Sequence, residues 1–394
     1  MDQANVLLGT NSKETKPIGP ISPMKKAFDL KGKLRTYTMV FALLAIWVIF
    51  EWVTQGAFLQ ARNLSNLFRQ ASVTGILSVG MVLVIVLGQI DLSVGSVVCF
   101  LGALIAVLNV NHGVSPLLSF VATLIAGALI GSFQGFLFSY QRVPSFIVTL
   151  GGMMVFRGAS MWLTSNSTIP LQENWIQSLG TAYLSSQGGW VLTILAMMGL
   201  WLGTWRDYQG RVKYGLEVPH FWVVFLQSGV LSAVMIGFMS VMANYQGVPV
   251  PVLLMLALML IALFVSTQTT WGRHIYAIGG NIEAARLSGI NVRFRTLTVY
   301  TLMGTLSALA GVVLTARVGS ASPDAGSLLE LDAIASCVIG GTSLMGGKGS
   351  VAGAILGALV MESLNNGMSL ANIEPFWQYG VKGIVLVIAV WTPD

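Results

Sequence analysis

An all-α, polytopic bundle of roughly 8 to 12 transmembrane helices, about 10 as the central number, is the fold this chain predicts. Three observations predict it. Hydrophobic residues make up 55% of the chain and charged ones only 9%, with a mean hydropathy of +0.76, a balance foreign to soluble domains of this length. Apolar runs close to the roughly 20 residues that cross a bilayer recur from residue 37 to residue 391. Two polar, glycine-containing interruptions, near 88–95 and 332–349, read as broken or re-entrant segments, which a membrane admits only where protein or water satisfies the backbone.

The net charge of +6 and the pI near 9.4 raise the question of a nucleic-acid partner. The Lys and Arg residues lie mainly between apolar runs, so cytoplasmic loops explain them and no nucleic acid is expected. Residues 1–36 form a basic, partly disordered cytoplasmic lead-in with Pro17, Pro20 and Pro23, no cleavable signal and room for a short basic helix near Met24 to Leu34. Residues 37–392 are expected to form the membrane-spanning domain, with both termini inside. Cys99 and Cys337 sit in apolar runs without metal-ligand spacing, and His112, His220 and His274 lie in separate loops, so neither metal nor cofactor is expected.

In order, spans are expected at Tyr37–Val53, Leu64–Gly88, after the break to Val110, Leu117–Phe138, Phe146–Leu163, Trp190–Trp205, Phe221–Met242, Val252–Thr267 and Leu297–Ala316. The Gly-rich stretch Ile334–Gly349, Val351–Leu364 and Phe376–Trp391 complete the set. Gly127, Gly131 and Gly135 share one helix face and invite close approach of another helix. Pro144 and Gly151-Gly152 weaken the fifth span. Thr164–Gly189, without Lys or Arg, reads as an outward loop, and Arg206–His220 as an inner one. Arg62 and Arg69 fall on the outer side in this count, against the statistical rule. A weak internal echo relates Gly95–Leu104 to Gly349–Leu359, as in transporters built from two halves.

The polar stretch 271–296 stands between two long apolar runs. Gly279-Gly280 read as a turn, Asn281 as an N-cap, Ile282 to Ser288 as a short helix, and Gly289 as its left-handed stop. Arg273, Arg286, Arg293 and Arg295 outweigh Glu283 and place it inside. By composition it is equally a solvated loop and a docking element.

Gly346-Gly347-Lys348-Gly349 imitates a phosphate loop, but Thr342 replaces its first Gly and Gly349 its magnesium-binding hydroxyl, so a tight cytoplasmic turn is expected and no nucleotide site. Neither a GxSxG elbow nor an HExxH helix occurs, and no enzymatic activity is expected. Intramembrane charge is the better guide to function. Asp91 reads as the N-cap of a helix starting at Leu92, with substrate contact as the alternative; Glu330 and Asp332 open the second broken segment, and Glu362 and Lys382 are a candidate pair. Asn365-Asn366-Gly367 reads as a helix-ending turn, its asparagines also suited to a polyol.

Four blocks carry a resemblance: Ile90–Ser96, Val143–Leu150, Ala277–Asn281 through Gly289-Ile290, and Glu330–Ala335 through Gly349-Ser350. Together, from about Leu59 to Trp391, they resemble the permease subunits of bacterial ATP-binding-cassette importers for monosaccharides; the long N-terminus and the region Arg206–Gly247 are most similar to those for xylose. The resemblance implies translocation of a sugar across the inner membrane, pairing with a second permease copy in a homodimer or with a close relative, a cytoplasmic ATPase and a periplasmic sugar-binding protein. It assigns ATPase coupling to Gly279, Asn281, Ile282, Glu283, Ala284, Ala285, Arg286, Leu287, Ser288 and Gly289, with Ile282, Ala285 and Leu287 entering an ATPase groove. Pathway candidates are Asp91, Ser93, Ser145, Phe146, Thr149, Asn365 and Asn366. Ribose, galactose or another small polar solute is the alternative substrate, and an ion-coupled secondary transporter the alternative class.

Overall fold

The structure, a computed structural model, describes residues 30–391 apart from 217 and 219, with side chains from residue 38. The expected basic lead-in lies almost wholly outside the described residues.

Helices dominate, in the order α1 Leu30–Val53, α2 Ala61–Val86, α3 Val94–Ala106 with a π-turn to Asn111, α4 Pro116–Ser139, α5 Ser145–Leu163, α6 Trp175–Thr181, α7 Ser186–Lys213 and α8 Phe221–Ala243. Then follow α9 Val250–Gln268, α10 Thr270–Gly280, α11 Ile282–Leu287, α12 Val292–Val318, α13 Leu329–Ile339, α14 Val351–Leu370 and α15 Pro375–Trp391. Among the described residues eight helices are long and apolar enough to cross a membrane, and Thr38–Val53 and Pro375–Trp391 are shorter apolar helices. The fold is the expected all-α membrane bundle.

Helices α2, α3, α12, α13 and α14 form the packed centre, while α4, α5, α7, α8 and α15 turn apolar side chains outward, as a lipid solvent allows. The glycine stripe works as its spacing predicts. Gly127, Gly131 and Gly135 lie against Gly304, Tyr300 and Leu297 of α12, and an added Cβ at Gly131 would collide with the Tyr300 carbonyl. Gly131→Val is therefore expected to cost at least the ~1–3 kcal/mol of an overpacked interior, read as a lower melting temperature in detergent, whereas Gly151→Ala, which meets open space inside a helix, does not lower it.

One end of the bundle is knitted by two short antiparallel ladders, Ile169–Pro170 with Ser320–Ala321 and Tyr183–Leu184 with Val248–Pro249. The stretch expected as an outward loop, 164–189, thus carries α6 and two strands. Arg69 donates to the Gly180 carbonyl at 2.8 Å, so the start of α2 belongs to this end. From there α2 runs about 39 Å at 1.5 Å per residue to Val86, at the opposite end beside α10.

Several sequence expectations are corrected. Gly279-Gly280 make no turn; they complete α10, where the missing side chain of Gly279 lets the helix meet Val86 and Gly347. The expected inner loop is helical to Lys213, as its Arg206, Asp207 and Arg211 are compatible with helix and Arg211 pairs with Asp207 at 2.9 Å. Asn365, Asn366 and Gly367 lie within α14.

Candidate translocation and docking sites

Both expected breaks exist, and they cross. After Val86 the chain leaves the helix, with Gly88 at φ +74°, and resumes it only at Val94. The second break, expected at 332–349, comprises the 11-residue half-helix α13 and the non-helical 340–350, and it is entered by a further non-helical stretch, 322–328, that runs along α3. They meet at Gly95, where an added Cβ would lie 2.7 Å from the Gly326 carbonyl and strike Glu330. Two helix starts, those of α3 and α13, therefore converge inside the bundle, an arrangement transporters use to place polar groups at mid-membrane.

Polar side chains pin the first break. Asp91 Oδ1 accepts from the Ser93 amide at 2.8 Å and its hydroxyl at 2.6 Å, so Asp91 closes a local turn instead of capping a helix at Leu92. Gln134 of α4 donates to Ser93 Oγ at 2.9 Å, and Ser145 of α5 donates to Gln89 Oε1 at 2.6 Å. Thr149 donates to the Ile90 carbonyl at 3.5 Å. Asp91, Ser93, Ser145 and Thr149 thus share one seam; Phe146 does not join it, being exposed on the outside of α5.

The two asparagines part company. Asn366 Oδ1 accepts from Asn63 at 2.9 Å, beneath a cavity of about 460 Å³ lined by Gln60, Arg62, Asn63, Asn66, Tyr183 and Tyr245 at the laddered end. Asn365 donates at 3.3 Å to both Asp332 and Glu362. Here the expected Glu362–Lys382 pair is corrected: Lys382 reaches Asp332 Oδ2 at 3.0 Å, while Glu362 accepts from Thr74. The reason is the depth of α13, which brings Asp332 between α14 and α15.

At the opposite end stands the short α11. Asn281 Oδ1 accepts from the Ala284 amide at 2.9 Å, and Gly289, at φ +82°, ends the helix left-handed, as expected. Glu283, Ala284, Arg286 and Ser288 are exposed, as are Ile282 at 53% and Leu287 at 87%. Ala285 is corrected: it packs into the core and cannot enter a partner's groove. Ile275 and Ile278 of α10 are buried in the same core, which fixes the base from which α11 projects. Among the described residues no three His, Cys, Asp or Glu side chains are placed to hold a metal.

Residues 63–212 and 221–390 match the model of a family described as the permease component of a branched-chain amino acid transport system. The chain belongs to this permease family. It is 46% identical over 358 residues to the xylose transport system permease protein of Escherichia coli (strain K12), covering 91% of each chain. To the protein of that name from Haemophilus influenzae it is 44% identical, covering 92% of this chain and 97% of the relative. It is 36% identical to the ribose import permease protein of Escherichia coli (strain K12), with 93% and 95% covered. No solved structure matches it.

The permease also holds charges that the sequence reading passed over. Arg157 lies inside α5 and donates to the Pro323 carbonyl at 3.4 Å, close to Cys99, bracing the second break against α3 and α5. Arg317, near the end of α12, is half-buried, with its Nε buried and unpartnered. An arginine inside or ending an apolar run was the available signal.

Proposed function

We propose that this chain is the inner-membrane permease of an ATP-binding-cassette importer that carries a monosaccharide, namely xylose, and that two copies form the pore. The observation that carries this reading is the 44–46% identity, over about nine tenths of the chain, to permeases of xylose transport systems. Energy comes from a cytoplasmic ATPase docked on α11, whose exposed and capped character suits that role. A periplasmic sugar-binding protein delivers substrate to the laddered end, where Glu173, Asn174 and Gln177 line a second open cavity of about 490 Å³. Both termini lie in the cytoplasm.

The cavity over Asn63 and Asn366 is the mouth of the path, and the seam of Asp91, Ser93, Ser145 and Thr149 belongs to its inner part. Hydroxyls and amides there offer donors and acceptors to sugar hydroxyls without a tight pocket that would slow release. Asn63→Leu is expected to raise the sugar concentration for half-maximal uptake by about tenfold, the worth of one lost polar contact, while the permease stays in the membrane. An unchanged half-saturation would remove the cavity from the path. The substrate is tested by uptake of labelled xylose in cells depleted of other xylose carriers, with ribose and galactose as competitors. Resistance to both is expected; equal competition by ribose would replace xylose as the substrate.

A further inference from the structure

We propose that the loop joining α13 to α14, residues 340–350, is a second docking element for the ATPase, inserting Met345 into an apolar hollow with an acidic rim. The proposal rests on α11 being the first.

The loop is built, not slack. Ser343 donates its amide to the Lys348 carbonyl at 3.0 Å, Gly346 to the Ser343 carbonyl at 3.1 Å, and Gly347 to the Val86 carbonyl at 2.8 Å. Tyr276 of α10 donates its hydroxyl to the Gly349 carbonyl at 3.0 Å, and burial pushes that phenol above its ordinary value, so it remains a donor. Gly346 and Gly347 take φ of +85° and +74°, open to glycine at little cost. This scaffold presents one large apolar side chain outward: Met345 is 89% exposed, while its neighbour Leu344 packs on the core.

Position joins this side chain to α11. An added Cβ at Gly347 would lie 2.8 Å from Gly280 Cα, and the next residue, Asn281, caps α11. Met345, Ile282 and Leu287 thus stand at one end of the bundle, amid the exposed cations Arg273, Arg286 and Lys348. A flexible methionine suits a hollow that changes shape, and the cations suit carboxylates around it. A bilayer surface would also accept cations. A fixed loop continuous with α11 favours a protein of definite shape.

The contact has a mechanical consequence. The loop touches the end of α2 just before the first break and is itself the exit from α13, so pressure on it reaches both broken segments.

The test uses the assembled importer in nanodiscs, with Met345→Cys carrying a benzophenone photo-crosslinker and Leu287→Cys as reference; native Cys99 and Cys337 are buried. Crosslinking of both positions to the ATPase is expected. Crosslinking from 287 alone, or from 345 to lipid alone, overturns the proposal and leaves α11 as the dock; crosslinking from neither overturns both. Met345→Asp is further expected to weaken ATPase binding about tenfold at unchanged permease abundance, with Met345→Leu near wild type. Normal binding by Met345→Asp contradicts the proposal.

Discussion

Lys382→Met is expected to destabilise the folded permease by about 3–5 kcal/mol, the cost of leaving one partner of a buried ion pair uncompensated. Lys382 and Asp332 are 18% and 4% exposed, and the pair sits beside Glu362, Asn365 and Thr74. Asp332 Oδ1 has no hydrogen-bond partner, so the ammonium 3.0 Å from Oδ2 and the Asn365 amide are the compensation its charge receives from side chains. No residue of α15 is fully buried, which makes Lys382 the polar anchor of that helix on α13. Thermal survival of the monodisperse peak in detergent reads the effect. The double substitution Asp332→Asn with Lys382→Met is expected to recover most of the loss, since it removes both charges. A Lys382→Met protein as stable as wild type would show that the ion pair contributes nothing.

The second large effect concerns function at constant fold. Reversing the charges of Glu283 and Arg286 together is expected to lower uptake about tenfold or more, as for a lost interface hot spot, with the amount of permease in the membrane unchanged. Both residues are exposed on a helix of six residues that Asn281 caps from its own side chain, so the fold does not depend on them. Undiminished uptake would show that α11 is not where energy enters.

What the sequence made legible was local. The four-residue glycine spacing marked the face of α4 that another helix approaches, because helical periodicity alone places those positions together, but that the partner is α12 came only from the structure. Asn281 and Gly289 gave the bounds of α11 because capping is decided by adjacent residues. The first break followed from polar residues between two apolar runs. What was hidden depended on neighbours distant in the chain. Gly279-Gly280 look like a turn until Val86 and Gly347 are seen to occupy the space a side chain at Gly279 would need. Asn365-Asn366 look like a helix end until Asp332, Glu362 and Asn63 are found across from them. Ala285 looks available for docking until the core beneath α11 is known, and Lys382 could not be matched to Asp332 without the depth of α13.

On the proposed function, this chain is a passive path driven by a separate ATPase. The most direct measurement is uptake of labelled xylose into proteoliposomes containing the permease, its ATPase and its binding protein, with components and ATP withheld one at a time. Uptake that requires all three proteins and ATP, and that persists with an uncoupler present, is the predicted result. Accumulation by the permease alone, without ATP and abolished by the uncoupler, would contradict the account.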